Sequence, residues 1–189
     1  MPSENLILHF VRHGETTYNA IRRIQGQMHE VPLSDLGREQ ARETAEALTS
    51  THAQAIISSD LLRAMDTART IAARLDLPIT ADPALRERHF GSAQGRMYDD
   101  FDEEWRARWW SDVHERFDGG GESWADVYDR VAAFLDGLRT SGDADELILV
   151  AHGGTVNVAL TYLAGKPVDD MTWQRLENCA VRTVTLART

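Results

Sequence analysis

The chain has 189 residues, a single cysteine and a formal net charge of −10 at pH 7. This length suits one domain with a substantial core. The lone Cys179 excludes an internal disulfide bond and favours a cytosolic location. The acidic field argues against nucleic acid as a partner. We also expect neither a transmembrane helix nor a signal peptide, since no long apolar run or basic leader is present.

Strands and helices are predicted to alternate along the chain. Apolar runs and turn residues predict strands over residues 6–11, 55–58, 147–150 and 181–186. A further short strand is predicted to begin at residue 79. Caps and helical spacing predict helices over about 34–48, 61–75, 99–110, 123–138 and 155–164, with a loop or short helix over 16–23. This order predicts an α/β fold, a mainly parallel, doubly wound sheet flanked by helices in three layers, with an edge strand last. We expect one domain over 1–189, with a lid-like helical insertion at about 92–122.

The first predicted strand ends abruptly at Arg12-His13-Gly14. Open α/β sheets bind ligands at the carboxyl ends of their strands. Arg12 offers a planar set of donors suited to phosphate, and Gly14 permits a sharp turn that turns backbone N–H groups towards an anion. His13 is able to act as a nucleophile, a base or a metal ligand. His152 likewise follows an apolar strand and precedes a glycine, so the two imidazoles are expected to share one crevice.

These stretches resemble the histidine phosphatase superfamily, which includes the cofactor-dependent phosphoglycerate mutases. The resemblance covers nearly the whole chain. The motifs that carry it are Arg12-His13-Gly14-Glu15-Thr16, Asn19, Arg23-Ile24-Gln25-Gly26, Ser58-Ser59-Asp60-Leu61-Leu62-Arg63-Ala64, Leu85-Arg86-Glu87-Arg88-His89 and Val150-Ala151-His152-Gly153-Gly154. Ordered motifs at family-like intervals are far more specific than Arg-His-Gly alone.

The resemblance implies a role for each of these positions. His13 would attack phosphorus and become phosphohistidine, Arg12, Arg63 and His152 would hold the phosphoryl group, and Glu87 would be the general acid and base. Further phosphate or substrate contacts would come from Gly14, Thr16, Asn19, Gln25, Gly26 and Gly153. Without the resemblance, Glu87 reads as part of a surface run of ion pairs. Arg63 is independently notable, because a cation near a helix N-terminus is unfavourable unless an anion binds there.

Three features favour a phosphatase over a mutase, the alternative function. The mutases have a longer segment between the acid loop and the Gly-Glu-Ser motif, whereas only 35 positions separate Glu87 from Glu122 here (122 − 87). Tyr98 stands where a mutase-like pattern places a lysine, and Gly153-Gly154-Thr155 replaces the mutase-like Gly-Asn-Ser. We therefore expect hydrolysis of a small phosphorylated metabolite, with no cofactor.

Other readings remain open at this point. A metal-dependent hydrolase would use His13, His152 and Glu87 as ligands, but no closely spaced histidine pair supports it, so no metal is expected. A regulatory protein that binds phosphorylated ligands is a further class. Trp105, Trp109 and Trp110 precede a run of three glycines and either cover the substrate or pack a helix onto the core. Trp173 and the final strand are candidates for a homodimer edge, and no membrane partner is expected.

Overall fold

The computed structural model describes residues 4–188. Its strands are β1 (Asn5–Arg12), β2 (Ala55–Ser58), β3 (Ile79–Ala81), β4 (Glu146–Ala151) and β5 (Val181–Ala187). Its helices are α1 (Thr17–Ala20), α2 (Asp35–Ala47), α3 (Leu62–Leu75), α4 (Glu103–Ser111), α5 (Trp124–Ser141) and α6 (Gly153–Leu163). Within the described range, no helix combines the length and apolar character that a bilayer crossing requires.

The strands form one sheet in the order β3-β2-β4-β1-β5. β1 to β4 are mutually parallel, and β5 pairs antiparallel with β1 at the edge. Because strand side chains alternate between the two faces, Leu6, Leu8 and Phe10 enter one core and Val11 enters the other. α5 and α6 cover the first face, and α2 and α3 cover the second. The predicted three-layer α/β architecture is confirmed.

The order of the strands explains where the site forms. β1 and β4 are far apart in sequence but adjacent in the sheet, and Arg12 is paired in register with Ala151. The residues that follow these two strands therefore emerge side by side at the carboxyl edge of the sheet. This is the position at which open parallel sheets bind ligands.

The region of the predicted insertion differs from expectation. We predicted a helix over about 99–110, but residues 98–100 form a 3₁₀ turn and α4 begins at Glu103. The Asp102 side chain accepts a hydrogen bond from the Trp105 N–H at 2.7 Å, which caps α4 and fixes its start. α6 also begins earlier than predicted, directly after His152, because Gly153 and Gly154 form its first turn.

Candidate active site

The two predicted histidines lie together at the carboxyl edge of the sheet. The His13 N–H donates to the Ala151 carbonyl at 3.0 Å, which continues the pairing of β1 and β4 by one residue. The imidazole centroids of His13 and His152 are 5.1 Å apart and the rings are tilted by 59°. His13 is 4% exposed and His152 is fully buried. The strand order thus brings together two side chains separated by most of the chain.

His13 is oriented by its own neighbour. Its Nδ1 lies 2.7 Å from the Gly14 carbonyl, and because a carbonyl only accepts, Nδ1 carries the proton. Nε2 then holds the free lone pair that a nucleophile needs. Burial, reinforced by the positive charges of Arg63 and Arg12, lowers the pKa of His13 well below its usual value of 6.5. The imidazole is therefore neutral near pH 7.

His152 has a different set of contacts. Its Nε2 lies 2.9 Å from the Ser59 hydroxyl, while its Nδ1 is buried and makes no hydrogen bond to the residues described. Burial, followed by the charge of Arg63, lowers the pKa of His152 well below 6.5. An unpaired buried ring nitrogen is costly.

Two arginines, the partly buried Arg12 and the buried Arg63, flank the histidines. Arg63 is 1% exposed, and its two terminal nitrogens donate to the carbonyls of Gly26 at 2.6 Å and Met28 at 3.0 Å. One terminal nitrogen of Arg12 donates to the Leu176 carbonyl. Neither Nε atom has a partner among the described residues. Desolvation lowers the pKa of Arg63 to about 10, so it stays charged at neutral pH. These guanidiniums are held by neutral carbonyls, which leaves their charge for an anion.

Glu87 is held between two backbone donors. Its Oε2 accepts from the Gly154 N–H in the first turn of α6 at 3.0 Å, and its Oε1 accepts from the Arg88 N–H at 2.9 Å. A side chain on Gly154 would place Cβ 2.4 Å from Glu87 Oε1 and 2.4 Å from the Trp124 ring. Only glycine therefore fits between the acid and that ring.

Glu122, to which the sequence analysis assigned no role, holds the loop that carries Glu87. Glu122 accepts from the His89 N–H at 2.9 Å, from Gln27 Nε2 at 2.9 Å and from Arg130 Nε at 3.0 Å. Arg130 and Gln27 also donate to the Glu87 carbonyl, at 3.1 and 3.0 Å. The acid is thus fixed from the backbone side by a partly buried polar network. The Gly121-Glu122-Ser123 motif was the only sequence signal for it.

A cavity of about 750 Å³ opens over these groups. Of the predicted residues, it is lined by Arg12, His13, Asn19, Gln25, Gly26, Arg63, Glu87 and Gly153. His152 packs against His13 but does not itself line the cavity. The cavity wall contains five arginines and one carboxylate, that of Glu87. The cavity is therefore positively charged, although the chain as a whole is negative. The arginines are Arg12, Arg22, Arg23, Arg63 and Arg175.

Two predicted contacts are placed elsewhere. The Gly14 N–H donates to Thr67 Oγ1 at 3.1 Å instead of facing the cavity. A Cβ on Gly14 would meet the Gly37 carbonyl oxygen at 2.5 Å, so this glycine permits close packing of β1 against α2. Thr16 is fully buried and caps α1, accepting from the Asn19 N–H at 2.9 Å. Both residues shape the loop beneath the site without lining it, contrary to our expectation that they contact phosphate.

Aromatic side chains form much of the remaining cavity wall. Tyr98, Trp109, Trp110, Trp124 and Trp173 all line it. Trp105 instead stacks on Phe101 at 3.7 Å between centroids and packs against Phe117. Of the three predicted candidates, Trp109 and Trp110 therefore reach the cavity and Trp105 packs against other aromatic rings. Trp124 and Trp173 were missed because they lie on other segments, and only the fold brings them to the wall.

The described residues do not form a metal-binding cluster. Among residues 4–188, no three His, Cys, Asp or Glu side chains are grouped so as to hold an ion. The positive charge at this site comes instead from guanidinium groups.

Comparisons with known proteins agree with this geometry. Residues 8–189 match the model of the histidine phosphatase superfamily, branch 1. The glucosyl-3-phosphoglycerate phosphatase of Mycolicibacterium vanbaalenii is 40% identical over 176 residues, covering 85% of this chain and 75% of that protein. The Yersinia pestis protein named "Probable phosphoglycerate mutase GpmB" is 35% identical over 182 residues, covering 95% of this chain and 84% of that protein.

Solved structures show the same relationship. The native structure of a mycobacterial glucosyl-3-phosphoglycerate phosphatase superposes with a TM-score of 0.85 at 33% identity, covering 96% of this chain and 90% of that one. The chain belongs to the histidine phosphatase superfamily.

Proposed function

We propose that this phosphatase hydrolyses a small phosphomonoester in two steps, through a phosphohistidine on His13. The observation that carries the proposal is the hydrogen bond from His13 Nδ1 to the Gly14 carbonyl. It leaves Nε2 unprotonated in a cavity whose nearest charges are Arg12 and Arg63. A neutral imidazole needs no separate base before it attacks phosphorus.

In the first step, Nε2 forms a bond to phosphorus while the bond from phosphorus to the ester oxygen breaks. Charge develops on the equatorial phosphoryl oxygens, and Arg12 and Arg63 are preorganised to stabilise it. Their Nε atoms are buried and have no partner among the described residues. A phosphoryl group with three oxygens is a ligand able to satisfy them.

Glu87 would supply the proton that the leaving oxygen needs. The Gly154 and Arg88 N–H groups each use one lone pair of its carboxyl oxygens, so each oxygen retains a site for a proton. In the second step the same carboxylate takes a proton from water, which attacks phosphorus and releases His13. The enzyme returns to its initial protonation state when phosphate leaves.

We further propose that the reaction is metal-independent. The guanidiniums of Arg12 and Arg63 already supply the charge stabilisation that a divalent ion would bring to phosphoryl transfer. The substrate would be a phosphorylated metabolite with additional negative charge, since the cavity has four more arginines than carboxylates. The relative at 40% identity makes glucosyl-3-phosphoglycerate the first compound to test. A reducing compartment such as the cytosol would suit the unpaired Cys179.

The test uses metal-stripped protein and a panel of phosphorylated metabolites that includes phosphoglycerate. Free phosphate and exchange between phosphoglycerate isomers are followed together. We expect phosphate release without added metal and little isomer exchange. Dominant isomer exchange would overturn the phosphatase assignment in favour of the mutase, and activity that returns only with a divalent ion would overturn the metal-free mechanism.

A further inference from the structure

The cavity extends beyond the phosphate-binding groups along a wall of three indole rings, which we call the tryptophan wall: Trp110, Trp124 and Trp173. Trp124 is 1% exposed and supports the other two. The Trp173 ring lies 4.6 Å from the Trp110 ring and 4.5 Å from the Trp124 ring between centroids, tilted by 70° and 60°. The three rings come from α4, α5 and the segment after α6, so the fold builds a wall that no local sequence encodes.

Two hydrogen bonds hold the tryptophan wall in position. Trp173 Nε1 donates to the Trp110 carbonyl at 3.0 Å, and Trp124 Nε1 donates to the Trp109 carbonyl at 2.8 Å. These bonds tie α4 to both neighbouring segments. Yet Trp110 remains 41% exposed, and leaving so large an apolar surface in water is unfavourable. A rigid aromatic ring exposed beside a cavity is typical of a ligand platform.

A second observation points to a polar ligand next to the same wall. Trp109 is 5% exposed and lines the cavity, but its Nε1 has no hydrogen-bond partner among the described residues. Gln25 also lines the cavity, and its Oε1 is a buried acceptor without a partner among the described residues. Unsatisfied buried groups of this kind each cost on the order of 1–3 kcal/mol. One is a donor and the other an acceptor, which a ligand with several hydroxyl groups can satisfy.

We propose that the tryptophan wall binds a pyranose ring carried by the alcohol part of the phosphomonoester. A pyranose has an apolar C–H face, suited to the exposed indole of Trp110, and hydroxyl groups at its rim. A flat aromatic base would prefer to bind between two opposed parallel faces. Trp110 and Trp124 are stacked 15° from parallel, but their centroids are 6.0 Å apart, too close to admit a ring between them. The proposal rests on the proposed phosphatase function and specifies its leaving group.

The direct test compares two esters that differ only by the sugar, glucosyl-3-phosphoglycerate and 3-phosphoglycerate. Their kcat/KM ratio is measured by phosphate release for the wild-type protein and for Trp110→Ala and Trp110→Phe. We expect the preference for the glucosylated ester to fall about tenfold in Trp110→Ala, the scale of one aromatic contact, and to be largely kept in Trp110→Phe. Leu36→Ala is the matched control, since Leu36 is 53% exposed and outside the cavity wall; its ratio should equal that of the wild type.

Each result has a defined meaning. An unchanged ratio in Trp110→Ala overturns the pyranose site, even if both esters are hydrolysed and the phosphatase function stands. A larger loss for an aryl-substituted phosphomonoester than for the glucosylated one also overturns it, in favour of an aromatic leaving group. If Trp110→Ala turns over neither ester, binding of phosphate-free glucosylglycerate and of glycerate is measured by calorimetry. A preference for the glucosylated compound that is present in the wild type and lost in the variant supports the site, and no preference in the wild type overturns it.

Discussion

Replacement of Gly154 by alanine should damage catalysis by displacing Glu87. The new Cβ would lie 2.4 Å from Glu87 Oε1, and the Trp124 ring, also at 2.4 Å, prevents it from moving away. Cβ contacts shorter than 3.0 Å are essentially never observed, so the carboxylate must move by at least 3.0 − 2.4 = 0.6 Å. A misplacement of about 1 Å can cost on the order of 100-fold in rate. We expect kcat to fall about 10- to 100-fold on that basis.

The neighbouring glycine provides a matched control. Gly153 is also in the first turn of α6, but its added Cβ would meet Arg12 Nε at 3.5 Å, an ordinary contact. Steady-state hydrolysis of an alkyl phosphate and of p-nitrophenyl phosphate is measured for Gly153→Ala and Gly154→Ala, with thermal unfolding as a check of folding. The loss in Gly154→Ala should exceed that in Gly153→Ala at least about tenfold and be larger for the alkyl ester. Equal losses in the two variants, or a loss independent of the leaving group, would refute the placement of Glu87 as the proton donor.

Three other predictions follow from the site. Glu87→Gln should slow alkyl phosphate hydrolysis about 100-fold or more but affect p-nitrophenyl phosphate far less, because a good leaving group needs little protonation; equal losses across a leaving-group series would count against the acid role. Burial and the neighbouring arginines lower the pKa of His13. For a substrate of constant charge, kcat/KM should therefore stay constant as pH falls through 6.5 and decrease only at lower pH. A kcat/KM that falls to half its maximum at pH 6.5 would show a histidine whose pKa is not shifted. The lowered pKa values of His13 and His152 also mean that the unfolded chain binds protons more readily than the folded one. Urea denaturation should therefore show the free energy of unfolding decreasing as pH falls from 6.5 towards 5, and a constant value would contradict their burial in the neutral form.

Much of the fold was predictable because its elements depend on local patterns. Apolar runs identified all five strands, and the caps Ser34 and Ser123 marked the starts of α2 and α5, where their side chains accept from the backbone. The predicted start of α4 was wrong because Asp102, which caps the helix, is one of several acidic residues in this stretch that are equally suitable as caps. Local sequence does not say which of these carboxylates turns back onto the chain.

The site was predictable to the extent that a motif carries it. The family resemblance identified His13, His152, Arg12, Arg63 and Glu87, and the structure places them together. Their catalytic roles remain predictions. Gly14 shows the limit of this reasoning, because its close approach to α2 depends on packing that a strand-end motif does not reveal.

Contacts between distant segments were not predictable from sequence. Glu122 and Arg130 hold the acid loop through bonds that cross several elements. Trp173 reaches the cavity only because the segment after α6 returns to α4. Each residue reads as an ordinary surface or helix position until the chain is folded.

The most direct test of the mechanism is to trap the phosphorylated enzyme. The protein is mixed with substrate, quenched in alkali within the first turnover, digested and analysed by mass spectrometry, with His13→Ala as the comparison. We predict an acid-labile, alkali-stable phosphate on the peptide that contains His13, and neither phosphopeptide nor turnover in the folded His13→Ala protein. Turnover at the wild-type rate by that variant, or phosphate attached to any other residue, would contradict the central claim.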